Sequence, residues 1–309
     1  MICFGELPDD ARFKRDAAVN KARTKVAGLY TAAMPAFVRD EQRIEFPAKL
    51  GKASTDHWTR YKDEFARQQH GRCGYCELPV VGGQYGDVEH YRPKGMVEIL
   101  DLSRQGSEKQ NLSNVEGRRA LRRIGTGYWW HAYSWDNYLL TCVICNQGWK
   151  RNFFPVDGNP IQRPRPDPSA AEGALLLYPF GTDDPVEHFQ YDLDGCIRGV
   201  TSRGVATIET VGLWRTSLVV KRRHTLATLH RLILEMRDPD SPDALVRSHA
   251  RSILAQGSLE SLCFPGMTRI FFRQYTGLDW VDLETMVAEF QTPAAAEHTD
   301  GVAHGDMAA

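Results

Sequence analysis

Cys73-Gly74-Tyr75-Cys76, followed by Asp87-Val88-Glu89-His90-Tyr91-Arg92-Pro93-Lys94, is one half of the stretch that decides the fold. The other half is Trp135-Asp136-Asn137-Tyr138-Leu139-Leu140-Thr141-Cys142-Val143-Ile144-Cys145-Asn146, closing on Lys150. Two C-x-x-C pairs supply four thiolates, enough to fill the tetrahedral shell of a zinc ion and leave no open position. Such a site is structural and pins two distant chain segments against each other. Inside the pairs the residue types change. Asp87, Glu89 and His90 follow the first pair, Asn137 precedes the second and Asn146 directly follows it. Carboxylate, imidazole and amide oxygen are the groups that hold a hard divalent cation and activate a water. The stretch therefore reads as a zinc-stapled frame carrying a hydrolytic site.

The rest of the 309 residues sets bounds on that reading. The length allows one large domain or two modest ones. The first residues show no basic n-region and no long apolar run, so no signal peptide is expected, and no apolar stretch reaches membrane-spanning length. Seven cysteines, four of them in paired spacing, fit a metal in a reducing cytoplasmic setting better than a disulfide framework. Cys3, Cys196 and Cys263 read as small buried apolar residues. The net charge of −1 argues by itself against a nucleic-acid binder. Its distribution argues the other way. Arg92, Lys94, Arg104, Lys109, Arg118, Arg119, Arg122, Arg123, Lys150, Arg151, Arg163 and Arg165 make a basic stripe through the motif region, and Lys221-Arg222-Arg223 form a second cluster. A stripe at this place suits a phosphodiester substrate; a solvated face is the plain alternative.

Along the chain, residues 9–38 have helical spacing broken at Pro35, and Thr55 or Asp56 could cap a helix running to about Gln69 with Trp58, Tyr61, Phe65 and Ala66 on its apolar face. Residues 78–81 and 85–90 read as a short hairpin around Gly82-Gly83. Residues 95–127 are an insertion, either a loop or a substrate-contacting flap. The aromatic run Tyr128 to Trp135 is expected in the core, with base stacking as the sharper alternative and His131 as a structural histidine. Residues 157–173 read as a linker, 175–180 as a buried strand, and 188–191 with 197–200 as a hairpin in which Asp192 and Asp194 belong to a turn, not a calcium loop. Residues 205–237 have helical periodicity broken near Gly212, with further helices at 243–256 and 280–290. The fold class is α+β, divided into a helical region at 1–70, a metal-bearing core at 71–156, a mainly helical region at 174–290 and a disordered tail at 291–309.

The order C-x-x-C, acidic-His, Asn, C-x-x-C-Asn, Lys resembles the zinc-containing HNH endonucleases with a ββα-metal core. The wording Val88-Glu89-His90-Tyr91-Arg92-Pro93-Lys94, with Leu139 to Lys150, is most similar to the PtuB-like HNH nucleases of Septu and some retron anti-phage systems. The resemblance is strong over 73–155 and weaker over roughly 55–72 and 175–230, where Trp214 stands at a position at which the family often has Asn. It implies a metal-dependent endonuclease cutting DNA, with Cys73, Cys76, Cys142 and Cys145 on structural zinc and His90 as the general base. It implies Mg²⁺ or Mn²⁺ held by Glu89 and Asn146, although many family members have Asp where this chain has Glu89. Asp87, on the same strand face as Glu89, could take over that ligand role. Asn137 matches the Asn that orients the catalytic loop. Arg92, Lys94 and Lys150 are candidate phosphate contacts, or surface charges. The resemblance also implies a partner ATPase; the chain itself has no G-x-x-x-x-G-K-[ST] loop, so ATP dependence would come from another chain. Two other readings stand beside this one: a zinc-stapled binding or scaffold module with a silent site, and an HNH nuclease acting on RNA.

Overall fold

The computed structural model describes residues 1–40, 44–81, 86–100, 120–157, 172–261 and 264–290. The turn expected at Gly82-Gly83, the middle of the 95–127 insertion, most of the 157–173 linker, Cys263 and the 291–309 tail lie outside them. So do Arg104, Lys109, Arg118, Arg119, Arg163 and Arg165 of the basic stripe.

The chain begins with α1 (Ala11–Arg15) and α2 (Ala17–Asp40). The Asp16 carboxylate accepts from the amides of Ala18 and Val19 at 2.7 and 3.3 Å, which satisfies donors that the first turn of α2 leaves open. Val19, Ala22, Val26 and Tyr30 recur at helical spacing and are buried. The sequence predicts a break at Pro35, but α2 runs through it to Asp40. A proline removes its own amide bond and crowds the carbonyl one turn back; here it falls after the buried stripe has already fixed the helix. A small hairpin, β1 (Lys49–Leu50) with β2 (Ala53–Ser54), leads into a 3₁₀ turn over His57–Tyr61 and then α3 (Lys62–Gln68). Neither expected cap operates: the Thr55 hydroxyl donates to Pro47 O at 2.6 Å, and Asp56 makes no side-chain cap bond.

The decisive pairing is between β3 (Gly86–His90) and a later strand. The hairpin expected between 78–81 and 85–90 is not what forms. Pro79 bridges back to Arg72, and β3 pairs with Tyr138–Cys142. Between these come β4 (Val97–Leu100) and β5 (Ala120–Ile124), an antiparallel pair that makes the two ends of the 95–127 insertion a hairpin base. β6 (Tyr138–Cys142) is buried along its whole length, so a partner from the neighbouring loop would leave its backbone groups unpaired. In the observed register Gly86 faces Cys142, Asp87 faces Thr141, Glu89 faces Leu139 and His90 faces Tyr138. A wide-turned π-type helix, Ile144–Lys150, follows β6 directly; it is called the knuckle helix below. Asn146 lies inside it, not at its opening.

The aromatic run packs inward, as expected. Tyr128, Trp129, Tyr133 and Trp135 are buried. Trp135 meets Phe13 and Phe65 at 5.0 and 4.6 Å between ring centres, and Trp129 stacks on Tyr30 at 4.9 Å. Their polar tips are satisfied: Trp135 Nε1 donates to Pro8 O at 2.7 Å and the Tyr133 hydroxyl donates to Thr55 O at 2.9 Å.

β7 (Val156–Asp157) and β8 (Gly173–Ala174) form a short pair. The buried strand expected over 175–180 is instead irregular, although Leu176 and Leu177 are buried. Its amides are taken individually, Leu175 by Pro155 O at 3.0 Å and Leu177 by the Thr207 hydroxyl at 2.9 Å. β9 (Phe189–Tyr191) and β10 (Ile197–Gly199) make the expected hairpin. α4 (Ser202–Val211) is capped by Thr201, whose hydroxyl accepts from Gly204 N at 3.0 Å, and it ends in a left-handed Gly212. α5 (Thr216–Arg237), α6 (Asp243–Gln256), α7 (Pro265–Thr276) and α8 (Trp280–Glu289) pack on one another. Leu226, Leu229, Ile233, Ile253, Phe271 and Leu283 are buried among them. α7 has no counterpart in the sequence reading, because Phe264-Pro265-Gly266 resembles a turn; Pro265 instead takes the first helical position, where a proline is best tolerated. Helices and small two-stranded sheets together make the chain α+β. Among the described residues no helix is long and apolar enough to cross a membrane.

Candidate metal centre and catalytic cleft

The β3–β6 pairing builds two sites at once. At its Gly86–Cys142 end the cysteine pairs converge. Cys73 and Cys76 follow α3, Cys142 ends β6 and Cys145 sits in the knuckle helix. All four are buried and their sulfurs lie within 4.8 Å of one another. Cys76 and Cys142 are 3.8 Å apart at sulfur. Zinc–sulfur bonds of ~2.3 Å in a tetrahedron give sulfur–sulfur edges of about 3.8 Å, so the cluster fits a structural metal such as zinc. The first pair is held to the second by backbone as well: Gly74 N donates to Leu140 O at 2.9 Å. Gln69, fully buried, accepts from Leu140 N at 2.6 Å and donates to Leu140 O at 2.9 Å.

At the other end of β3 the acidic-His motif meets the knuckle helix. Strand alternation puts Asp87 and Glu89 on the face that this helix covers. Asp87 accepts from Gln147 Nε2 at 2.9 Å and lies 3.5 Å from Asn146 Nδ2. Glu89 accepts from Lys150 Nζ at 2.5 Å, and that ammonium also donates to His90 O at 2.8 Å. Lys150 is fully buried, so the position read as a phosphate contact or surface charge is occupied by an internal counter-ion. The second Glu89 oxygen makes no hydrogen bond among the described residues, and Glu89, His90 and Asn146 all line one cleft of about 790 Å³. The opposite wall comes from the β1–β2 hairpin region and Trp58.

His90 is buried between Trp58 and Tyr138, edge-to-face with each at 4.5 and 5.1 Å. Its Nε2 is 3.1 Å from Ala132 O. A carbonyl can only accept, so the neutral ring carries its proton on Nε2 and leaves the Nδ1 lone pair free. Burial, with Lys94 and Lys150 adding repulsion, pushes the imidazole well below its ordinary pKa and keeps it neutral at pH 7. Asn137 supports the same loop. Its Oδ1 accepts from Arg92 N at 2.7 Å, and its Nδ2 donates to Arg92 O at 3.1 Å and His131 O at 3.0 Å. His131 itself is tied to the Ser134 hydroxyl at 3.3 Å.

The remaining substrate candidates separate. Lys94 lines the cleft with its ammonium over the rings of Trp58 and Phe46, at 4.6 and 5.7 Å. Arg92 turns away, pairing with Glu172 at 2.8 Å over the rings of Tyr128 and Phe154. Sequence reasoning missed Gln69, Glu172, the Ala132 carbonyl and Arg215, whose Nη2 is 3.4 Å from Cys145 Sγ. None belongs to a spaced motif, and a backbone carbonyl leaves no trace in residue identity.

No family model matches the chain. Septu protein PtuB of Bacillus mycoides (strain KBAB4) is 32% identical to it over 169 residues, 52% of this chain and 51% of PtuB. Septu protein PtuA of the same strain is 26% identical over 216 residues, 69% of this chain and 26% of PtuA. The chain thus spans about half the length of PtuB and a quarter of PtuA, and it is to these Septu proteins that its sequence is similar.

Proposed function

We propose that the protein is a metal-dependent HNH endonuclease that hydrolyses DNA phosphodiester bonds in a Septu-like anti-phage defence system. The observation that carries this reading is the neutral His90 anchored on Ala132 O beside Glu89 and Asn146 in one cleft. Two antiparallel strands followed by the knuckle helix support reading this unit as a ββα-metal core.

Phosphodiester hydrolysis needs a water deprotonated in line with phosphorus. His90 Nδ1 takes that proton, while Ala132 O holds Nε2–H and stabilises the imidazolium that forms. Asn137 fixes the His131–Ala132 turn and the Arg92 backbone, and so aims the ring. Glu89 and Asn146 would hold Mg²⁺ or Mn²⁺, with Asp87 on the same face as an alternative carboxylate. When bound, that cation supplies charge stabilisation for the pentacoordinate phosphorus and the leaving oxygen. Lys94 draws a phosphate oxygen into the cleft. The similarity to a PtuB and a PtuA supports the defence setting, in which a partner ATPase governs cutting.

Supercoiled plasmid incubated with Mg²⁺ or Mn²⁺, with and without the ATPase encoded beside the gene, tests the reading. Native protein is expected to nick or linearise DNA, and His90→Ala, retaining its zinc, to be inactive. An RNA substrate run in parallel separates the two nucleic acids. Activity in His90→Ala equal to native, or no cleavage of DNA in any arm with the ATPase and both metals present, sinks the reading.

A further inference from the structure

The cysteine cluster has a fifth protein partner that no metal-ligand pattern contains. Arg215 joins α4 to α5 and is only 7% exposed. Its Nη2 donates to Cys145 Sγ at 3.4 Å, and its Nη1 donates to Val211 O and Gly212 O at 3.2 and 2.9 Å. No carboxylate among the described residues lies within ion-pair reach of it. A guanidinium stays charged in any protein environment, and a buried charge without compensation is costly. The contacts made by protein alone are two neutral carbonyls and one sulfur. Four thiolates around a divalent zinc carry a net charge of minus two, and that supplies the missing compensation.

The approach of Arg215 is built into the junction. Gly212 is left-handed at φ 62°, and a Cβ there would lie 2.1 Å from the Trp149 ring. Only glycine lets the knuckle-helix tryptophan sit on the junction. Trp214 then meets Trp149 edge-to-face at 5.1 Å. Two tryptophans thus clamp the chain so that the next side chain reaches sulfur.

We propose that Arg215 is the counter-charge of the zinc–tetrathiolate centre, which makes the α4–α5 junction a working part of that metal site. The proposal rests on the cluster holding zinc, so native protein is assayed first for one zinc per chain and for the thiolate-to-cobalt bands of its Co²⁺-substituted form. Absence of both defeats the zinc reading itself. With zinc present, Arg215→Gln is expected to release it to a chromogenic chelator about 10- to 100-fold faster than native. The charge-transfer bands of its Co²⁺ form should move to longer wavelength, because a sulfur that loses a hydrogen-bond donor gives up its electrons more readily. Arg215→Lys, which keeps the charge without the fork, should fall between the two and serves as the test if Arg215→Gln does not fold. Arg222→Gln is the packing control. Arg222 holds the same junction through Leu213 O at 2.6 Å and lies over Tyr191 and Phe264, away from the sulfurs. It should lower the melting temperature and leave the cobalt bands in place. Native release rate and native bands in the Arg215 variants, or equal band shifts in Arg222→Gln, overturn the proposal.

Discussion

At the Gly86 end of β3 four sulfurs close on one another, buried, with every position of a tetrahedron filled. At the His90 end of the same strand the groups stop short of closure. Glu89 has one oxygen on Lys150 and one unengaged, His90 has one nitrogen on Ala132 O and one free, and both face a cleft. The strands and the knuckle helix are common to the two sites. What differs is whether the ligand set is complete. A closed set stores its binding energy in the fold, whereas an open one keeps positions for water and substrate. The contrast predicts that damage to the first site is read in stability and damage to the second mainly in activity.

The largest effect should come from the closed site. Cys142→Ser removes a ligand that also ends β6, and structural zinc sites contribute on the order of 10 kcal/mol of apparent binding energy at neutral pH. Loss of zinc with insoluble protein, or a fall in melting temperature of at least about 10 °C, is expected. A zinc-free variant that melts with the native protein would show that the cluster is not what holds the two chain segments together.

Lys150 breaks the simple form of the contrast, because it belongs to the open site by position and to the core by burial. Lys150→Met leaves Glu89 as an uncompensated buried carboxylate and should cost ~3–5 kcal/mol in denaturant unfolding. Adding Glu89→Gln should recover most of that loss while leaving the protein inactive. If Lys150→Met costs less than about 1 kcal/mol, Glu89 is reached by solvent and its pairing with Lys150 is a surface contact.

Asn137→Ala sharpens the contrast from the other side. Three hydrogen bonds to Arg92 and His131 are lost, at a net cost of about 1–3 kcal/mol. The His90 ring would lose the turn that aims it, so DNA cleavage should fall by roughly a hundredfold, more than the fraction of unfolded protein explains. Equal, small losses in both measurements would make Asn137 a loop staple with no bearing on chemistry.

The same contrast governs what the residues disclosed before folding. The cysteine pairs were legible because ligand geometry demands a fixed spacing. The face shared by Asp87 and Glu89 followed from strand alternation, and the inward packing of Tyr128 to Trp135 from sheer apolar area. The helices with a clear apolar stripe, α5 and α6, were legible as well. Long-range choices were not. That β3 pairs with β6, leaving Pro79 to bridge Arg72, is decided by the burial of β6 between segments far apart in sequence. The internal pairing of Lys150 and the turning of Arg92 onto Glu172 depend on which charges become buried together. Composition along the chain carries no record of that.

Lys94 should give the smallest effect, and it tests the cleft without cutting. Its ammonium rests over Trp58 and Phe46, and burial pulls its pKa down to about 8, against the opposing pull of Glu89. An ordinary lysine keeps its charge to about pH 10. The positive charge offered to phosphate is therefore lost as pH rises through about 8. Affinity for a DNA oligonucleotide, measured in EDTA from about pH 7 to about pH 9, should fall a few-fold, and the salt dependence should lose about one counter-ion. Lys94→Arg keeps its charge across that range and should bind with a flat profile. Stability should move in the opposite sense. Between about pH 8 and the ordinary lysine value the unfolded chain holds the proton that the folded chain has released, so unfolding free energy rises with pH there and levels off above it. A binding profile that falls equally in Lys94→Arg would assign the titration to another group and remove Lys94 from the phosphate-facing wall.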